Sequence, residues 1–183
     1  MCVKCILIFV IGLSGVGKTN MIQRFVEENP DYLHLEASKL IKQATGIQVS
    51  EKIRLLPKNK IIKNQYILVE ELSRYKNSFD KIILDGHLLI NNNQELIPIP
   101  LDTIRKISPN SMILVEGNAN DILLHRKNDL YKTRPNQLLV EIQEEQLELR
   151  KIAVKYCNEL NIKLDTINFE DYAEFCHLVS KET

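Results

Sequence analysis

Residues Gly12-Leu13-Ser14-Gly15-Val16-Gly17-Lys18-Thr19 spell G-x-x-x-x-G-K-T. They follow the apolar run Ile6-Leu7-Ile8-Phe9-Val10-Ile11 and lead into a helical pattern. Buried strand, glycine loop, then helix is the order a phosphate-binding P-loop requires. Gly12, Gly15 and Gly17 let the backbone curl with N–H groups turned inward, a path that side chains would obstruct. The helix starting near Lys18 adds the positive end of its dipole. Ser14 and Val16 complete the predicted phosphate-binding loop. Lys18 can reach outer phosphates as a point charge, and Thr19 can offer its hydroxyl to Mg²⁺, a hard cation that prefers oxygen. The expected ligand is ATP with Mg²⁺.

The 183 residues have 44% hydrophobic and 26% charged side chains, an ordinary globular composition for one domain. Net charge is zero, so no global field draws the chain to nucleic acid or to a membrane surface. The N-terminal apolar run is too short to span a bilayer, and cleavage after it would sever the glycine loop from its strand. Cysteines stand only at Cys2, Cys5, Cys157 and Cys176, with no second pair at metal spacing beside Cys2-x-x-Cys5. Cys5 and Cys157 read as buried, and the sparse usage fits a reducing cytoplasm.

Strand and helix patterns alternate along the chain, which predicts an α/β fold with a parallel sheet. Strands are expected at 6–11, 32–35, 81–85, 112–115 and 162–167. Helices are expected at 38–44, 50–56, 58–76, 101–107, 121–127, 137–160 and 170–180. Met21, Ile22, Phe25 and Val26 mark the inner face of the first helix. Ile62, Tyr66, Val69 and Leu72 are assigned that role in 58–76; Leu139, Ile142, Leu147, Val154 and Leu160 in 137–160. Asn91 to Pro100 reads as a polar loop and 128–136 as a mobile one. His34, inside a short strand, reads as structural.

Three features narrow the class. Asp85 ends an apolar strand, where the Mg²⁺-side aspartate of P-loop proteins sits, and Gly86 follows it rather than a water-activating glutamate. No Asn-Lys-x-Asp guanine signature occurs. Lysine outnumbers arginine 17 to 7, yet Arg126, Arg134 and Arg150 flank the 128–136 loop and the helix after it. Arginine suits bidentate phosphate contact, and an arginine-bearing lid neutralises a moving phosphoryl group while excluding water.

From about Cys5 to Asn168 the chain resembles the archaeal-type adenylate kinases, within the nucleoside monophosphate kinases. Carrying the likeness are Gly12 to Thr19, Leu84-Asp85-Gly86-His87, Asp121 to Asp129 with Lys132-Thr133-Arg134, and Ile142 to Arg150. The resemblance implies a three-layer P-loop NTPase fold with a central five-stranded parallel sheet. It implies one kinase domain over 1–183, with a monophosphate-binding region at 36–76 and a lid loop at 127–136. It further implies transfer of the γ-phosphate of ATP to a nucleoside monophosphate, with AMP the expected acceptor, in the cytoplasm and with oligomers allowed. By the same likeness Lys18, Arg126, Arg134 and Arg150 are catalytic. Ser38, Arg54, His87 and Pro100 hold the acceptor, and Thr19 and Asp85 hold Mg²⁺. His125 stands where the family usually has an arginine, and Pro135 where an aspartate is common. Two other readings stay open: a kinase on a sugar or an RNA or DNA end, and a nucleotide-dependent regulatory protein.

Overall fold

Residues 7–11 are buried from end to end, as a strand must be when both faces of its sheet are covered. The computed structural model describes residues 5–46, 55–128 and 137–182. In chain order the described elements are β1 (Ile6–Gly12), α1 (Lys18–Glu28), β2 (Leu33–Glu36), α2 (Ala37–Thr45), α3 (Lys58–Lys76), β3 (Lys81–Gly86), β4 (Leu89–Asn91), β5 (Leu96–Pro98), α4 (Leu101–Ile107), β6 (Ser111–Glu116), α5 (Ala119–Asn128), α6 (Leu139–Leu160), β7 (Lys163–Asn168) and α7 (Tyr172–Lys181). Five strands form a parallel sheet in the order β2-β3-β1-β6-β7.

That order fixes the layers. The step from β1 to β2 runs one way along the sheet, and those from β2 to β3, β3 to β6 and β6 to β7 run the other way. Right-handed crossovers therefore put α1 on one face and α2 to α6 on the opposite face. α7 joins α1, because Phe175 meets Phe25 edge-on at 5.8 Å and the Tyr32 hydroxyl donates to the Val179 carbonyl. The chain thus leaves β1 toward one face and its neighbours β3 and β6 toward the other. Ligands of open α/β sheets bind at such a crevice beyond the carboxyl ends of the strands. In the register, Glu36 pairs with Asp85 and Gly12 with Val115, so the ends of β2, β3, β1 and β6 gather at one rim.

Three expectations need correction. The stretch 91–100 is not a plain polar loop: β4 and β5 form an antiparallel hairpin. Its turn is built by asparagines. The Asn92 Oδ1 accepts from the Gln94 and Glu95 amides, the Asn91 Oδ1 accepts from the Asn93 amide, and Asn93 takes φ 73°. Asparagine bonds its own backbone in this way and tolerates the left-handed region. On α6 the inner face is Ile142, Leu149, Ala153 and Tyr156, whereas Leu147 and Val154 are 54% and 45% exposed. Several apolar positions around one helix allow more than one stripe, and packing on β6 and β7 selects among them. On α3, likewise, Ile61, Leu68 and Leu72 face inward and Tyr66 points out. The expected helix over 50–56 falls mostly outside the described residues, as does the 128–136 loop.

Candidate phosphate-binding site

The loop between β1 and α1 is shaped by close contacts that only glycine allows. A Cβ on Gly12 would lie 2.6 Å from the Val115 carbonyl oxygen of β6. Gly17 takes φ 105° where α1 begins, and no side chain caps that end. The first turn of α1 carries no acidic residue, so its unpaired N–H groups and dipole are left for an outside anion.

Every carbonyl from Gly12 to Gly15 is held by a partner. Gly12 O meets His87 Nδ1 at 2.8 Å, and Leu13 O accepts from the Val16 amide. Ser14 O accepts from Arg126 Nε at 2.7 Å, and Gly15 O meets His125 Nδ1 at 3.1 Å. The two histidine contacts each place a proton on Nδ1, since a carbonyl can only accept.

Lys18, in the first turn of α1, is only 4% exposed. Its ammonium lies 3.6 Å from the Asp85 carboxylate at the end of β3. The Thr19 hydroxyl donates to the other oxygen of Asp85 at 2.5 Å. His34, on β2, brings Nε2 to 3.9 Å from that same oxygen, an electrostatic contact longer than a hydrogen bond. Burial alone would push the Asp85 carboxyl upward. The Lys18 charge, the His34 ring, the Thr19 hydroxyl and the charge of His87 outweigh it and hold Asp85 well below the usual carboxylate range. Asp85 is therefore an anion at neutral pH, with the hydroxyl of Thr19 beside it. Two adjacent oxygen donors, one charged, suit a hard divalent cation, so the residues fit Mg²⁺.

The pocket over this cluster is walled by Ser14, Gly15, Lys18, Thr19, Glu36, Ser38, Asp85, Gly86 and His87. Ser14, Gly15, Lys18, Thr19, Ser38, Asp85 and His87 are the expected site residues that meet here. Arg126 does not face this wall; it is 5% exposed and packs behind the loop, where its Nη1 donates to Gln137 Oε1 and its Nη2 lies 4.0 Å from Glu145. Arg150 grips Glu116 through two donors, and Pro100 caps the start of α4. Arg54 and Arg134 lie outside the described residues, as does Pro135.

Glu36, the last residue of β2, is a site neighbour that the sequence did not single out, and its place at the carboxyl end of a parallel strand was the available signal. His34, read as structural, reaches Asp85 from the second position of β2. Phe169, which lies 3.3 Å from where a Gly17 Cβ would be, and the buried Glu145 carry no local signal at all.

The profile of the AAA domain family matches residues 11–144. Adenylate kinase from Pyrococcus horikoshii is 24% identical over 90% of this chain and 87% of its own length. Adenylate kinase from Pyrobaculum aerophilum is 27% identical over 91% and 86%. Among solved structures, a sugar kinase from Janibacter sp. aligns over 98% of this chain and 96% of that one, with TM-score 0.58 at 16% identity. Shikimate kinase from Bacteroides thetaiotaomicron aligns over 96% and 98%, with TM-score 0.56 at 8% identity. At such identities the likeness is one of fold. It agrees with the five-stranded parallel sheet expected from the sequence.

Proposed function

The chain belongs to the AAA domain family, and from that premise we propose that it is an ATP-dependent phosphotransferase acting on a nucleoside monophosphate, with AMP the first candidate. The observation that carries the reading is the convergence of Lys18, Thr19 and an ionised Asp85 beneath a glycine loop whose carbonyls are each held by a partner. The monophosphate acceptor rests on the adenylate kinase relatives, which span most of this chain.

In this mechanism the loop amides and the start of α1 bind the donor phosphates, and Lys18 neutralises them from below. Thr19 and Asp85 would hold Mg²⁺, which would supply charge neutralisation to the phosphates. Transfer between phosphates needs positioning and electrostatic stabilisation more than proton chemistry. Arg126, Arg134 and Arg150 are assigned to charge on the moving group, and Arg54, Ser38, His87 and Pro100 to the acceptor. For Arg150 this assignment requires release from Glu116; for Arg126, a turn away from Gln137. The reading needs no membrane span, and no described helix is long and apolar enough to cross one.

One observation favours a second acceptor class. Glu36 stands on the pocket wall, ion-paired with Lys39 at 2.5 Å. A carboxylate there suits an acceptor that presents hydroxyl groups and opposes one that presents phosphate. The test is γ-labelled ATP offered with Mg²⁺ to a panel of nucleoside monophosphates, sugars and RNA ends. Label on AMP or another monophosphate supports the proposal. Label confined to sugars or RNA ends replaces it with the second reading.

A further inference from the structure

His125 has no part in the mechanism above, although it stands at the entry of the lid region. It is solvent-exposed on α5, yet its ring is fixed on two sides. Nδ1 lies 3.1 Å from the Gly15 carbonyl, and the ring meets Phe169 edge-on at 5.6 Å. Phe169 in turn packs where side chains on Gly17 and Gly117 would be.

The Gly15 carbonyl matters because of the turn it belongs to. Residues 13–16 are closed by the Val16 amide on Leu13 O, with Gly15 at φ 90°. Positive φ at the third position marks a type II turn, which calls for glycine there. In a trans peptide, carbonyl and amide point in opposite directions. A donor on a loop carbonyl therefore fixes the direction of the next amide as well. Arg126 holds the Ser14 carbonyl, and Arg126 is backed by Gln137 and Glu145. His125 holds the next one. The Gly15–Val16 peptide is thus held at both ends, its amide by the Leu13 carbonyl at 3.2 Å and its carbonyl by His125; without His125 only the turn bond opposes a tilt of that carbonyl toward the pocket, where its partial negative charge would meet a phosphate.

We propose that His125 is a positioning residue of the phosphate cage: its Nδ1–H donates to the Gly15 carbonyl and keeps that carbonyl out of the space the phosphates occupy. It touches neither phosphate nor acceptor. The role rests on the reading of residues 12–19 as a phosphate site, and not on the identity of the acceptor.

Inorganic tripolyphosphate with Mg²⁺ is the probe, because it occupies a phosphate cage and has no base or ribose. Its affinity is measured by calorimetry alongside that of ATP, and folding is checked by thermal melting. His125→Ala is expected to weaken both ligands by about fivefold, the loss of one ordinary hydrogen bond. His125→Asn, whose side-chain nitrogen falls where Nδ1 was, is expected to restore binding. His125→Gln, which extends past that point, is expected to leave it weak.

Three results overturn the proposal. If His125→Ala melts as the wild type does and binds tripolyphosphate equally well, the contact does not shape the cage. If ATP weakens but tripolyphosphate does not, His125 meets the nucleoside instead. If His125→Asn stays as weak as His125→Ala, the hydrogen bond is not the cause. Failure of the wild type to bind either ligand would be a different outcome, removing the phosphate-site reading and this proposal with it.

Discussion

Asp85→Asn isolates the pairing at the centre of the site. The substitution keeps shape and leaves an oxygen to accept from Thr19, but it removes the charge 3.6 Å from the Lys18 ammonium. Lys18 is 4% exposed, so its buried ammonium would lose the Asp85 charge. Breaking a buried pair from one side costs about 3–5 kcal/mol. Coulomb's law at this separation, with an effective dielectric near 20, gives a pair term of the same order, roughly 5 kcal/mol. For a domain of this size about 3 kcal/mol lowers the melting temperature by roughly 10 °C. A phosphate can replace Asp85 as the counterion of Lys18, so ATP without metal should recover more of the loss in the variant than it adds to the wild type. The sign of the pH dependence follows from the depressed Asp85 carboxyl. Its stabilisation is fully present above the unfolded carboxylate pKa of about 3.9 and is lost as pH falls through the folded value. The gap between wild type and variant should thus be flat from pH 7 to pH 5 and close only below about pH 4. Differential scanning fluorimetry across pH, with and without ATP, reads all three. A variant melting within about 2 °C of the wild type at pH 7 would refute the claim that Lys18 depends on Asp85.

Further expectations follow from the same geometry. Lys18→Ala should slow phosphoryl transfer by at least about 100-fold, or ~2.7 kcal/mol, the size of a lost oxyanion donor; wild-type turnover in a coupled assay would end the assignment. Gly12→Ala should cost about 1–3 kcal/mol in urea unfolding by forcing a methyl group against the Val115 carbonyl, and an unchanged midpoint would show that β1 and β6 can part freely. Cys157 is buried on α6 and its thiol is pushed up to about 11, so iodoacetamide at pH 8 should leave it unmodified in the native protein. Mass spectrometry showing prompt labelling there would contradict that burial.

The parts of this architecture visible in the sequence are those where one physical demand acts alone. Residues 6–11 had to be a strand buried on both faces, and α3 and α4 begin and end where prolines and turn residues say they must. Helix faces were harder. Leu147 and Leu149 are equally apolar, and only the sheet beneath decides that Leu149 goes inward. The asparagines at 91–93 looked like a loop because their turn chemistry hides a hairpin made of three-residue strands.

The site divides along the same line. Lys18, Thr19 and Asp85 were legible because the loop motif and the strand end each specify a residue type. The loop's outer supports were not. His125 and Arg126 hold carbonyls 110 and 112 positions away in the chain, and Glu145 reaches Arg126 through Gln137. Such contacts are set by where α5 and α6 pack, which no local pattern encodes. His34 was read as structural, whereas it lies against the Asp85 carboxylate.

The most direct measurement is calorimetric titration of Mg²⁺-ATP into the wild-type protein and into Lys18→Ala. The account predicts saturable heat for the wild type at millimolar ligand or below, and a loss of about 100-fold or more in affinity for the variant, in line with a lost charge-assisted contact of about 2.7 kcal/mol. No heat from the wild type at millimolar ATP, or equal binding by the two proteins, would contradict it.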